Sequence, residues 1–277
     1  MFLFSCTGKY TRKTNLVGFE VKNWVCVYNA DAPSDQVRKF DLAVLDPDSH
    51  PDLGTLHKTT LLFAYLSLGE VGDYRWYWPE ISNKSWILEK NPNWNSFMID
   101  VRDDAWHDFV IDRLIPRILE QGFRGIFLDT IDNAEYLEKY HPSKTWPGAQ
   151  KAMVRLIRKI RKNYPNVLLL ANRGFTILNE IGNTIDGVVA ESIFTDYDFK
   201  AKRVRLRPES EYAGYLNLLS SAQKKHNLVI LTLDYTDAES EGEIRNVIRK
   251  SRDNKFVPYV STIGLDKIHF NTLENRL

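Results

Sequence analysis

Short apolar runs recur along the chain and alternate with longer segments whose apolar positions fall at helical spacing. Eight runs lack polar alternation and are rich in β-branched or aromatic residues, the pattern of strands covered on both faces. They are Trp24–Tyr28, Leu42–Asp46, Leu61–Leu68, Gly125–Thr130, Val167–Asn172, Gly187–Glu191, Leu228–Tyr235 and Phe256–Ser261. A ninth short run, Phe97–Val101, falls between the third and the fourth. Residues 105–121 carry Phe109, Val110, Leu114, Ile118 and Leu119 on one stripe, with Pro116 expected to kink the helix. Residues 149–163 place Met153, Leu156, Ile157 and Ile160 at helical spacing with Arg and Lys opposite, and 209–225 and 240–252 read similarly. Gly122 and Tyr164-Pro165 are helix stops.

Strands that alternate with helices are parallel and joined by crossovers. Eight of them in 277 residues predict an α/β fold, a single (β/α)₈ barrel over residues 22–277 with a short extra strand between strands three and four. Residues 1–21 form an N-terminal extension. A doubly wound open sheet is the competing fold, but it normally carries a glycine-rich phosphate turn after its first strand. Here that strand runs into Tyr28-Asn29-Ala30-Asp31-Ala32-Pro33, with no glycine.

A net charge of +1 gives no bulk attraction to nucleic acid, so none is expected as a partner. No 18-residue apolar stretch exists, which excludes a predicted membrane span. Aromatic residues at 12% offer flat surfaces that suit sugars, although cores use them too. Cys6 and Cys26 form neither a disulfide framework nor a metal site, and both read as free thiols. Leu3-Phe4-Ser5-Cys6 matches the end of a bacterial lipoprotein signal without the charged and apolar regions that precede one. An exported or lipid-anchored location and a cytoplasmic one therefore both stay open, as does the oligomeric state.

In a parallel barrel the carboxyl ends of the strands line the mouth. Asp46, Glu70, Asp73, Asp129, Asp132, Glu191, Asp234 and Asp237 all fall there, eight carboxylates on a chain of balanced charge. Asp129 and Glu191 directly follow the apolar runs Gly125-Ile-Phe-Leu and Gly187-Val-Val-Ala. A carboxylate at the end of a buried strand loses hydration, a cost folds accept mostly at functional sites. Strands four and six of a barrel are about 10 Å apart, at roughly 4.8 Å per strand, so the two side chains can face each other across one sugar ring. Paired carboxylates are what glycoside hydrolysis needs, one to protonate the leaving oxygen and one to attack or to activate water. The six histidines form no ligand cluster, and neither a G-x-S-x-G elbow nor a P-loop occurs. Neither a metal nor an organic cofactor is expected.

Two segments are distinctive: Ala64-Tyr-Leu-Ser-Leu-Gly-Glu70-Val-Gly-Asp73-Tyr-Arg75-Trp-Tyr-Trp78 and Gly122-Phe-Arg-Gly-Ile-Phe-Leu-Asp129-Thr-Ile-Asp132. Together they resemble the endo-α-1,4-polygalactosaminidase family, glycoside hydrolase family 114, and its TIM-barrel relatives. With Gly187–Glu191 and Pro258-Tyr-Val260 the resemblance covers roughly residues 22–262. It implies metal-independent cleavage of an α-1,4-linked galactosamine polymer, with Asp129 and Glu191 as the catalytic pair. By analogy with other barrel glycosidases, Asp129 is the nucleophile and Glu191 the acid/base. Glu70, Asp73 and Arg75 are expected to shape the sugar subsite. Tyr28, Asp46, Tyr65, Asp132, Asn172, Asp234 and Tyr235 are further candidate substrate contacts, each with a packing or loop role as the alternative.

Two departures from the family pattern bear on substrate. Val71-Gly72 stands where an acidic link is common, and Arg173 separates Asn172 from Gly174. A cation at the mouth would oppose a charged galactosamine, whereas the rim acids would attract it. Two other readings compete: a catalytically inactive carbohydrate-binding barrel, and a barrel that binds an anionic polymer or nucleic acid. The second rests on Lys200-Ala-Lys-Arg-Val-Arg-Leu-Arg207, five cations in eight residues, expected as a solvated loop or helix start. The ATP-binding signatures H-I-G-H and K-M-S-K-S of a tRNA synthetase are missing.

Overall fold

A computed structural model describes residues 16–56, 58–237 and 241–270. Cys6 and the signal-like segment around it lie outside the described residues. Thirteen strands form among the described residues. They are β1 (Trp24–Val27), β2 (Leu42–Leu45), β3 (Leu61–Ser67), β4 (Glu70–Gly72), β5 (Ile87–Asn91), β6 (Ser96–Ile99), β7 (Gly125–Asp129), β8 (Leu168–Asn172), β9 (Gly187–Glu191), β10 (Thr195–Asp198), β11 (Arg203–Leu206), β12 (Val229–Tyr235) and β13 (Val257–Ser261).

Eight of them make one parallel sheet in the order β1-β2-β3-β7-β8-β9-β12-β13. Its first and last strands lie side by side, so the sheet is a nearly closed barrel with helices between its strands. The seam is stitched by Trp24 Nε1–H donating to the Val257 carbonyl at 3.0 Å and by Tyr28 N–H donating to the Leu265 carbonyl at 2.8 Å. The eight predicted runs supply these strands, and their apolar side chains are buried because a barrel strand has core on one face and helices on the other. Leu16, within the predicted extension, is fully buried beneath β9.

Two insertions stand at the carboxyl end of the barrel. After β3 the chain builds an antiparallel sheet in the order β4-β6-β5, and the ninth predicted run supplies β6. After β9 comes the hairpin β10–β11. This hairpin corrects the reading of Lys200–Arg207 as a loop or helix start. Arg203, Val204, Arg205 and Leu206 are a strand, paired with Asp198, Tyr197, Asp196 and Thr195. Arg205 and Arg207 each bond Asp196 and Glu211, so much of the run's charge is spent within the fold. Pro116 acts where expected. The helix that begins at Asp104 widens to a π turn over Val110–Leu114 and resumes as Ile115–Glu120, which accommodates the missing proline N–H. No described helix is long and apolar enough to cross a membrane.

Gly125 opens β7 because nothing larger fits. A Cβ built there would lie 2.2 Å from Cε1 of the buried Phe63 ring on the neighbouring strand. Overpacking of this kind costs about 1–3 kcal/mol. Gly125→Ala is therefore expected to lower stability by that amount in urea denaturation, and an unchanged midpoint would show that Phe63 yields freely.

Candidate active site

Three consecutive barrel strands end in Asp129 (β7), Asn172 (β8) and Glu191 (β9). The parallel register sets Leu128 beside Ala171, so Asp129 and Asn172 end level, and Asn172 beside Val189, so Glu191 stands two residues further along its strand. The Asn172 amide then sits between the two acids. Its Nδ2 donates to Asp129 Oδ1 at 2.7 Å and to Glu191 Oε2 at 2.6 Å. An amide nitrogen has two hydrogens, one for each carboxylate, and the opposite orientation would aim a carbonyl oxygen at two anions. Tyr235, ending β12, donates its hydroxyl to the other Glu191 oxygen, Oε1, at 2.8 Å.

Burial, and then the negative charge of Glu191, push the Asp129 carboxyl up to about 7. Hydrogen bonds from Asn172, the Thr130 backbone and Tyr65 pull it back only in part. Burial also raises the phenols of Tyr28, Tyr65 and Tyr235, so all three remain hydrogen-bond donors. The Cys26 thiol, buried in β1, is pushed up by the same cause and is inert as a nucleophile.

Each of the three strand ends is followed by a non-glycine residue in the left-handed region: Thr130 at φ 57°, Arg173 at φ 55° and Ser192 at φ 55°. Such a conformation costs roughly 1–2 kcal/mol per residue, and it turns the chain sharply out of the barrel while the preceding side chain still faces inward. Each turn is held by its surroundings. Thr130 Oγ1 bonds Ser67 Oγ and accepts from Gly69 N–H, both at 2.7 Å. Arg173 bonds Asp132 through Nε and the Glu191 carbonyl through Nη1, both at 2.9 Å. The arginine is thus engaged with Asp132 and the backbone, and it is not among the residues lining the cleft.

The cleft above these residues has a volume of about 250 Å³. Among the sequence candidates, Tyr28, Asp46, Tyr65, Glu70, Arg75, Asn172 and Tyr235 line it together with Asp129 and Glu191. Several are already engaged with one another. Arg75 forms a bidentate pair with Asp46 at 2.7 and 2.8 Å, reaches Asp48 at 2.9 Å and covers the Tyr65 ring. Glu70 is buried and accepts from Asn91, Asn133 and Ser96, which ties the first insertion to the loop after β7.

Asp73, Asp132 and Asp234 do not line the cleft. Asp73 pairs with Lys90 at the surface, and Asp132 with Arg173. Asp234 has 0% exposure. Its Oδ1 accepts from Phe194 N–H, Thr195 N–H and Thr195 Oγ1, so it anchors the chain that follows Glu191. Side chains alternate along a strand, so Tyr235 meets the cleft and Asp234 turns away. Cleft residues outside the sequence candidates include Asp48, Tyr74, Trp94 and Arg117. Trp94 carried one legible signal, an aromatic ring in the polar turn Pro92-Asn93-Trp94-Asn95.

Burial raises Asp234 to about 6, above its ordinary carboxylate range. The folded chain therefore holds this proton to higher pH than the unfolded chain, and stability falls as pH rises from about 4 to 6. Asp234→Asn keeps an oxygen for the two backbone donors and removes the titration. The variant should lose a pH dependence on the order of 3 kcal/mol across that window, read as the difference between the two stability-pH curves. Parallel curves would contradict the assignment.

Comparison with known proteins places this chain in a family. The model of glycoside-hydrolase family GH114 matches residues 8–274. An uncharacterized protein of Thermotoga maritima is 25% identical over 99% of this chain and 90% of its own length. One from Methanocaldococcus jannaschii is 26% identical over 88% of this chain and 76% of its own. Among solved structures, the glycoside hydrolase domain of PelA from Pseudomonas aeruginosa superposes with a TM-score of 0.75 at 26% identity, covering 90% of this chain and 97% of that one. Aspergillus fumigatus Ega3, solved in complex with galactosamine, shares the fold with a TM-score of 0.68 at 11% identity, covering 93% and 96%. The chain is a glycoside hydrolase and belongs to family GH114.

Proposed function

We propose that the protein cleaves α-1,4-linked galactosamine polymers by double displacement, with Asp129 as nucleophile and Glu191 as acid/base. The observation that carries this reading is the single Asn172 nitrogen bonded to both carboxylates at 2.7 and 2.6 Å. The two bonded oxygens can be no farther apart than those two bonds laid end to end. An upper bound of that size on the facing oxygens favours the carboxyl spacing of about 5–5.5 Å of retaining glycosidases over the about 6.5–9.5 Å of inverting ones.

In the first step Asp129 attacks the anomeric carbon and forms a glycosyl ester. Glu191 gives its proton to the glycosidic oxygen as the carbon–oxygen bond breaks, and the leaving chain departs as an alcohol. In the second step the Glu191 carboxylate takes a proton from water. The resulting hydroxide attacks the same carbon and releases Asp129 as a carboxylate, with the α configuration restored. Asn172 stabilises whichever acid is charged at each stage, and Tyr235 steadies Glu191 through both. No metal enters these steps.

Two features support a cationic sugar. Five carboxylates against two guanidinium groups line the cleft. An ammonium group at C2, one bond from the reacting carbon, would also draw the proton off Asp129. The attack in the first step requires the shared proton to sit on Glu191 with Asp129 ionised. Ega3, which shares the fold, was solved in complex with galactosamine.

On de-N-acetylated galactosaminan, Asp129→Asn and Glu191→Gln are each expected to reduce oligosaccharide release at least about 100-fold while melting like the wild type. Near-normal release by either variant would reject the pair. The free enzyme must also keep one proton on the pair. Its kcat/KM should therefore fall as pH rises through about 7, where Asp129 titrates, and a rate that stays level to pH 9 would contradict the shared proton.

A further inference from the structure

The two insertions meet. Trp94, in the turn between β5 and β6, lies edge-to-face with Phe199, in the turn between β10 and β11, with centroids 5.1 Å apart and planes at 82°. Phe199 meets Tyr197 in the same way, at 5.1 Å and 84°. The insertions leave the barrel after β3 and β9, and in the sheet β7 and β8 lie between those strands. The row of rings therefore links the insertions on either side of the strands that carry Asp129 and Asn172. Trp94 lines the catalytic cleft yet stays 51% exposed, and Phe199 stays 38% exposed.

Stability does not explain this arrangement. Two aromatic rings left half open forgo much of the gain of burial, and the fold has buried tryptophans elsewhere, Trp24 and Trp106 among them. The rings are nevertheless well supported. Glu70 clamps Asn91 and Ser96, the pair on either side of the turn of the first hairpin. Arg205 and Arg207 brace the second through Asp196, and Asp237 accepts from Val204 N–H at 3.3 Å. A rigid aromatic face at the rim of a sugar cleft presents an apolar surface to the C–H face of a pyranose and leaves the ring's hydroxyls in water.

Building on the proposed polysaccharide substrate, we infer that Trp94 is a stacking platform for a sugar unit beyond the cleaved linkage, with Phe199 as its positioning residue. The cleft itself is small, about 250 Å³, so a polymer must continue past it, and Trp94 stands at its edge. The platform makes the enzyme sensitive to chain length. Units that reach Trp94 add affinity, and shorter oligosaccharides forgo it. Phe199 acts only through Trp94 by fixing the orientation of the indole.

The test is binding of α-1,4-galactosamine oligosaccharides of increasing length to the Glu191→Gln protein, measured by calorimetry with and without Trp94→Ala. Affinity for the long oligosaccharides should fall roughly tenfold on removing the indole, with a smaller fall for the shortest ones, while Trp94→Phe recovers most of the loss. Phe199→Ala should weaken binding of the same long ligands by a smaller factor. In the Glu191-intact enzyme the loss should appear in KM and grow with chain length. Equal binding with and without the indole overturns the platform, and so does the lack of any binding in either protein. The hydrolase reading is judged separately, by whether the wild type cuts the polymer.

Discussion

Everything in the candidate active site depends on holding two carboxylates close together on one side of a barrel. Two unit charges about 5 Å apart repel by roughly 3 kcal/mol at an effective dielectric near 20, before any loss of hydration is counted. A neutral amide with two hydrogens meets that constraint. Asn172 donates to Asp129 and Glu191 from one nitrogen and adds no net charge. Parallel register makes the arrangement possible. Strands lie about 4.8 Å apart, so acids on the first and third of three neighbours leave a gap one side chain wide. Burial, and then the charge of Glu191, raise the proton affinity of Asp129, the property a proton-sharing pair needs.

A second constraint acts on the backbone. Strand ends that present functional side chains inward must turn outward at once, and Thr130, Arg173 and Ser192 do so in the left-handed region. The residues around them carry the load. Thr130 ties to Ser67 and Gly69, and Arg173 ties Asp132 to the Glu191 carbonyl. Arg173 is thus engaged with Asp132 and the Glu191 carbonyl and does not line the cleft. Asp234, out of reach of the cleft, does similar work for Phe194 and Thr195.

The barrel was legible because fully covered strands need unbroken apolar runs, and eight such runs became its eight strands. The placement of Asp129 and Glu191 at the barrel mouth was legible because each ends such a run. What could not be read was direction. Asp234 and Tyr235 are neighbours in sequence, and only the register of β12 decides that the tyrosine meets Glu191 while the aspartate turns away. The basic run misled because its alternating Arg and Val or Leu look like a solvated segment until Asp196 and Glu211 supply partners. The contact between Trp94 and Phe199 joins residues more than a hundred positions apart, and no local pattern reports it. The motif resemblance reached the family, and the structure adds the amide that Asp129 and Glu191 share.

The account stands or falls on whether bond cleavage proceeds through two displacements at one carbon. Proton NMR of the reducing end, recorded in the first minutes of digestion before mutarotation, reads this directly. The account predicts that the newly formed anomer is α, as in the polymer. A first-formed β anomer would mean a single inverting displacement, and would contradict a pair of acids held close by Asn172.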